Sequence, residues 1–216
     1  MSELVKLISV TQSENNSAQE LIAFTARVSN PANQMNMESA SKLLKYLIKN
    51  KHWSPFEMAH MTVEITTSRA IAQQILRHRS FSFQEFSQRY AEVTNFVTYK
   101  ARRQDVKNRQ NSIDDMNEEI KNFFYDAQKS IQRTSINFYQ TALKMGIAKE
   151  QARFLLPLST QTTLYMCGSV RSWIHYLEVR CGKETQKEHR DIAVAIQNIF
   201  SEQFKDIAVA MEWTKE

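Results

Sequence analysis

Met61-Thr62-Val63-Glu64-Ile65-Thr66-Thr67-Ser68-Arg69-Ala70-Ile71-Ala72-Gln73-Gln74-Ile75-Leu76-Arg77-His78-Arg79 changes its apolar period partway along. Met61, Val63 and Ile65 alternate with Thr62, Glu64 and Thr66, the period of two that marks a half-buried strand. Beyond Ser68, a favoured helix cap, Ile71, Gln74, Ile75 and His78 recur at i, i+3, i+4 and i+7. That spacing predicts a helix from Ala70 to about Arg79. A strand that runs straight into a helix points to a mixed α and β domain.

Outward from this segment the pattern is mostly helical. Lys6 to Thr11 reads as an opening strand, and Ser17-Ala18-Gln19-Glu20 as a capping box that starts a helix ended by Pro31. A second helix is expected from about Glu38 to Asn50, then a turn at Trp53-Ser54-Pro55. Phe86 to Val97, rich in aromatic and β-branched residues, reads as extended. The polar stretch from Lys100 to Asn122, most of all near 100–120, reads as a solvated and mobile excursion. A long helix over Met116 to Met145 should end at Gly146 in the left-handed conformation. A short helix to Pro157, a strand at Thr160 to Met166 and a helix at Arg171 to Arg180 follow. Thr185-Gln186-Lys187-Glu188 reads as a second capping box, opening a last helix to about Phe204. One helix-rich α+β domain over 1–216 is the expectation.

Composition narrows the chemistry. The chain has 216 residues, a net charge of +5 and three glycines, Gly146, Gly168 and Gly182, against about 15 at average usage. A GxGxxG turn or a P-loop is excluded, because both need clustered glycines to bring backbone amides up to phosphate. Any nucleotide must be held by side chains and helix N-termini. Cys167 and Cys181 have no ligand spacing, and the five histidines form no HxxxH or HExxH pattern, so no metal site is expected. No apolar run reaches membrane-span length and the first residues lack signal-peptide character, so the expected location is the cytoplasm, or a host's cytoplasm for a viral protein.

The cationic run Arg77-His78-Arg79 is followed at alternating positions by Glu85, Ser87 and Arg89. Arginine forks match phosphate, although cations at a helix C-terminus also complement its dipole. If Glu85 to Arg89 is extended, an acid, a hydroxyl and a guanidinium share one side while Phe86, Gln88 and Tyr90 take the other. Trp173, Tyr176, Leu177 and Arg180 form an i, i+3, i+4, i+7 stripe, which turns Arg180 toward the apolar face; an ion pair with a core carboxylate is its simplest explanation. Arg171 and His175 lie on another face, and Arg153 stands among apolar residues. A basic protein stacking nucleic acid on the aromatics between Arg77 and Arg103 would share several of these features.

Together these blocks resemble the flavin-dependent thymidylate synthases. The family pattern Arg-His-Arg, seven residues, Ser, one residue, Arg is matched by Arg77-His78-Arg79 through Ser87-Gln88-Arg89. His52-Trp53-Ser54-Pro55-Phe56-Glu57, Glu150-Gln151-Ala152-Arg153 and Arg171 through Arg180 match in the family's order. The resemblance implies a small central, mostly antiparallel sheet flanked by long helices, and a homotetramer with shared active sites. It implies reductive methylation of dUMP to dTMP, with 5,10-methylenetetrahydrofolate as one-carbon donor and FAD reduced by NADPH. It implies no metal, no nucleic acid and no membrane partner.

The same resemblance carries roles over by position. Arg180 would stabilise charge on the uracil as the catalytic residue. Gln74, Ile75, Leu76, Arg77, Glu85, Phe86, Ser87, Gln88, Arg89 and Arg153 would line the dUMP site with it. Ser54, Arg77, His78, Arg79, Glu85, Ser169, Val170, Arg171 and His175 would contact FAD, and His52 would lie near flavin and folate. Ser87 is read as a nucleotide ligand and not as a nucleophile, since no base stands at a fixed local spacing. One departure is Ser169, where many members carry an asparagine of longer reach.

Overall fold

The computed structural model describes residues 4–214 apart from 15 and 94. Strand β1 (Val5–Val10) leads through α1 (Ala18–Ala26) and α2 (Ala40–Lys49) to β2 (His60–Ser68) and α3 (Arg69–Ile75). Next come β3 (Ser82–Glu85), the two-residue strands β4 (Arg103–Gln104) and β5 (Ser112–Ile113), and the 27-residue α4 (Glu118–Lys144). The chain closes with α5 (Lys149–Ala152), β6 (Gln161–Ser169), α6 (Val170–Arg180), α7 (Lys187–Gln203) and α8 (Lys205–Ala210). Four strands form one antiparallel sheet of order β1–β2–β6–β3.

The alternation in β2 does what its period requires. Met61, Val63 and Ile65 are fully buried on one face, and Leu164 and Met166 of β6 sit on the same side. Each long strand then feeds a helix through a serine cap: Ser68 Oγ accepts from Ile71 N and Ser169 Oγ from Ser172 N. Helices α3, α6 and α7 cover the buried face, with Trp173, Tyr176, Leu177, Ile192, Ile196 and Phe200 in the core. Every strand pair in the sheet is antiparallel, and the helix-rich α+β class is borne out.

Four local expectations are corrected. The α3 helix stops at Ile75, so Arg77, His78 and Arg79 lie in the turn after it. The extended stretch is β3, at 82–85; beyond it Ser87 O accepts from Tyr90 N and Ala91 N, which makes 87–90 a turn. Glu85, Ser87 and Arg89 therefore do not share one side of a strand. The second capping box does not form: Thr185 Oγ1 donates to Val179 O, and α7 starts from Gln186 without a side-chain cap. A further helix, α8, follows Phe204. The long helix α4 packs on α5 and the turn at Arg153–Leu155. The Ser17 capping box and the left-handed Gly146 (φ 84°) are as expected. The segment near 100–120 carries the β4–β5 ladder and is tied to the body by Arg102–Glu188 and by Asn108 Nδ2 donating to Glu184.

Candidate active site

The turn after α3 is held by α6 at two levels. Near the helix start, Ser172 Oγ donates to Ser80 O at 3.1 Å. Two turns further on, Arg180 Nε donates to His78 Nε2 at 2.8 Å. Between these points the His78 ring stands edge-on to Tyr176 (centroids 4.9 Å apart), and Phe81 meets Trp173 at 4.7 Å. The stripe that turns Arg180 inward therefore seats the cationic turn. A Cβ at Gly168 would come within 2.4 Å of the Phe81 ring, so this glycine is what lets Phe81 lie over β6.

Arg180 is half-buried, and among the described residues no carboxylate pairs with it; the ion-pair expectation is replaced by a neutral partner. Burial first, then the nearby charges of Arg180 and His175, push the His78 imidazole down to about 4, so at neutral pH it carries no charge. Arginine only donates, so Nε2 is the accepting nitrogen and the His78 proton resides on Nδ1. Behind this pair Tyr176 hydroxyl is hydrogen-bonded to His189 Nε2 at 3.0 Å, and burial together with Arg180 pushes His189 down to about 4 as well. The result is a guanidinium in an apolar and neutral-imidazole setting, with its terminal amino groups uncommitted to any acid.

A cleft of about 650 Å³ opens beside this turn, lined by Trp53, Glu57, Ser80, Ser169, Arg171 and His175, among others. Ser169 and Arg171 belong to the first turn of α6, where backbone amides and the helix dipole favour anions. Arg171 Nη1 meets Glu57 Oε1 at 2.6 Å; both side chains are about half exposed, so the pair contributes little to stability. Arg77 and Arg79 are exposed, and among the described residues neither side chain is committed to a partner. Hydroxyls, guanidiniums and a helix N-terminus suit the phosphates of a dinucleotide such as FAD.

The other expected site residues divide. Glu85 accepts from Arg69 Nη1 (2.9 Å) and Thr162 Oγ1 (2.9 Å), while Arg69 Nη2 donates to Phe86 O (2.7 Å). Arg89 meets Glu150 at 3.5 Å, and Arg153 Nε donates to the Glu150 carbonyl, so these two arginines neighbour one another. Ser87 and Gln88 lie half-buried in the turn between them and β3. Gln74, on α3, donates to Gln186. Ile75 and Val170 are fully buried, and the Val170 amide donates to Ala59 O, which leaves these two to shape the site from behind. Leu76 is half-buried at the end of α3. His52 is exposed against Tyr46 and Ser54 opens the turn Ser54–Glu57; neither lines the cleft. Sequence reasoning missed Glu57, Arg69, Ser172 and the Tyr176–His189 pair as participants. Glu57 and Ser172 stood inside quoted blocks; Arg69 directly follows the cap serine, where only the fold reveals its reach to Glu85.

This geometry, an all-antiparallel sheet with an α6 that carries cations at both ends, defines a nucleotide-handling α+β domain. Residues 6–204 match the family described as thymidylate synthase complementing protein. The flavin-dependent thymidylate synthase of Synechocystis is 56% identical over 97% of this chain and 99% of its own. A probable flavin-dependent thymidylate synthase of Paramecium bursaria Chlorella virus 1 is 55% identical over 96% of this chain and 98% of its own. The chain belongs to the flavin-dependent thymidylate synthases. The fold is also that of a UMP/dUMP methylase, PolB of Streptomyces cacaoi, solved with 5-Br dUMP: TM-score 0.85, 24% identity, 97% of this chain and 94% of that one.

Proposed function

We propose that the protein converts dUMP to dTMP, with 5,10-methylenetetrahydrofolate and NADPH consumed and tetrahydrofolate and NADP⁺ released. The observation that carries this reading is Arg180, a half-buried guanidinium whose only hydrogen-bonded partner among the described side chains is the neutral His78. A cation so placed, with no carboxylate to quench it, is suited to a pyrimidine ring that gains negative charge as it becomes nucleophilic at C5.

In this mechanism the chain positions and polarises. His78, proton on Nδ1, accepts from Arg180 Nε and leaves the remaining guanidinium N–H groups for the pyrimidine. Arg77, Ser87, Gln88, Arg89 and Arg153 supply hydroxyl, amide and guanidinium donors for the nucleotide, with Gln74 at the edge of α3 and Glu85 braced by Arg69. Flavin would be held by the first turn of α6 (Ser169, Arg171, His175), by His78 and Arg79 and by Ser54, with His52 toward the folate; when bound, it supplies the hydride that completes the methyl group. No enzyme nucleophile is required: burial pushes the Cys181 thiol up to about 11, away from the thiolate.

Assembly into four copies accompanies this reading. Phe124, Ile131, Phe138 and Met145 are exposed at strict seven-residue intervals along α4 and its end, a stripe suited to another helix. No helix among the described residues is long and apolar enough to cross a membrane, and a cytoplasmic location fits the proposed substrates.

The test is a yellow protein whose flavin absorbance bleaches with NADPH and which releases tritium from 5-tritiated dUMP when methylenetetrahydrofolate is present. Flavin demonstrably bound with no tritium release would overturn the reading. A colourless protein that binds oligonucleotides in a salt-dependent way would replace it.

A further inference from the structure

The Thr185-Gln186-Lys187-Glu188 segment looks like a capping box and is not one, so the side chains of Gln186 and Glu188 are released from capping for another task. Glu188, 14% exposed, is forked by Arg102, 13% exposed, at 2.6 and 2.9 Å, one guanidinium nitrogen to each carboxylate oxygen. Arg102 holds the Glu188 carboxyl below the usual carboxylate range despite its burial, so it is ionised and can only accept. The edge of Gln186 that meets Glu188 Oε2 at 2.9 Å must therefore be its amino group. That choice turns Gln186 Oε1 the other way, where it lies 2.6 Å from Gln74. A carbonyl oxygen only accepts, so Gln74 must meet it with its own amino group. One charge thus determines the orientation of two amides in series, although an isolated glutamine is free to flip.

We propose that Arg102, Glu188 and Gln186 form a relay that fixes the amide polarity of Gln74, so that Gln74 offers the nucleotide an acceptor oxygen for one of its hydrogen-bond donors. This rests on the reading of Gln74 as a dUMP contact. The three relay residues are positioning residues. They come from the loop before β4 and from the start of α7, so the polar excursion near residue 100 is joined to the nucleotide site through them.

The experiment compares flavin-loaded full-length variants for dUMP affinity by calorimetry and for the split between KM and kcat. Glu188→Gln keeps shape but can donate as well as accept, which frees both amides to flip. It should weaken dUMP about tenfold, the scale of one hydrogen bond, raise KM to match and leave kcat at saturation within about twofold. Gln186→Leu leaves the Arg102–Glu188 pair whole, should behave alike, and carries the test if Glu188→Gln fails to fold. Asn108→Ala removes the other tie of the excursion to the body, Asn108 Nδ2 to Glu184 Oε2 at 2.7 Å, and should keep dUMP affinity. The relay is overturned if Gln74→Ala weakens dUMP while Glu188→Gln and Gln186→Leu do not. It is equally overturned if Asn108→Ala costs as much affinity as they do, since placement of the excursion would then be the cause. Unchanged dUMP affinity in Gln74→Ala would instead overturn the placement of Gln74 in the dUMP site.

Discussion

Replacing Arg180 with alanine separates its catalytic reading from a structural one. In the folded protein Arg180 donates to neutral His78 at 2.8 Å and is half-buried. Its removal forfeits one hydrogen bond and some packing, about 0.5–1.5 kcal/mol. The penalty of about 3–5 kcal/mol that follows breaking a buried ion pair does not apply, because no carboxylate is left unpaired. For a chain of this size the melting temperature should fall by about 1–6 °C. Turnover should fall much further, on the order of 10²–10³-fold, as when a preorganised donor to developing charge is lost. The assays are tritium release from 5-tritiated dUMP, flavin absorbance of the purified variant, and thermal melting. A third readout is independent of activity. The Arg180 charge helps push His78 down to about 4, so its imidazole should titrate closer to the ordinary value in the variant, observable by NMR. Turnover within tenfold of the parent would refute the catalytic assignment, and collapse of the fold with loss of flavin would refute the claim that Arg180 is structurally dispensable.

Three other outcomes follow from the same geometry. Gly168→Ala forces a methyl group within 2.4 Å of Phe81, whose ring is fixed by Trp173 and Tyr176. Overpacking of about 1–3 kcal/mol should lower the melting temperature by about 2–12 °C, and Phe81→Leu in that background should recover part of the loss; an unchanged melting curve refutes the packing argument. His78 and His189 both lie at about 4 in the folded state, against about 6.5 when unfolded. Between those values the unfolded chain binds protons that the folded chain does not, so stability is fully present above pH 6.5 and is lost as pH falls toward 4. Urea midpoints at pH 7.5 and 5.0 should show the decline, and equal midpoints would contradict it. Ile131→Glu with Phe138→Glu places charge in the exposed α4 stripe and should lower the particle mass in light scattering without loss of helix content; an unaltered mass would assign the stripe no role in assembly.

The sheet was legible because β2 alternates cleanly and ends in a serine cap, while the β6 segment is rich in β-branched and aromatic residues, and these signals are local. What sequence could not resolve is where tertiary contacts outweigh local period. His78 continues the helical spacing of Ile71, Gln74 and Ile75, yet it leaves the helix because its ring packs on Tyr176 and accepts from Arg180, more than 100 positions away. Ser87 reads as part of a β-rich run, but its hydroxyl accepts from Arg89 N and its carbonyl closes a turn, the competing chemistry serine offers next to polar residues. Thr185 was legible as a cap, but the carbonyl of Val179 at the end of α6 needed a donor and took its hydroxyl. The stripe Trp173, Tyr176, Leu177 and Arg180 was legible for another reason: it is both a helix period and a charge on the apolar face, and only the partner of Arg180 needed correction.

That stripe also explains how a chain with three glycines builds a nucleotide site. Glycine-rich loops bring backbone amides to phosphate; in the proposed site the backbone would contribute mainly at the first turn of α6, and side chains anchored on the same helix would do the rest. Ser172 and Arg180 hold the cationic turn from both ends, while Trp173 and Tyr176 carry Phe81 and His78 between them. The backbone approach that glycine alone permits is at Gly168, where Phe81 crosses β6 so that the turn reaches α6 at all. A site of this kind is rigid by aromatic packing and tunable by charge. Its weak point is then the packing: a single methyl at Gly168 should disturb Arg77, His78 and Arg79 together, whereas a change at Arg180 should silence the chemistry while Ser172 and the aromatic packing keep the turn seated.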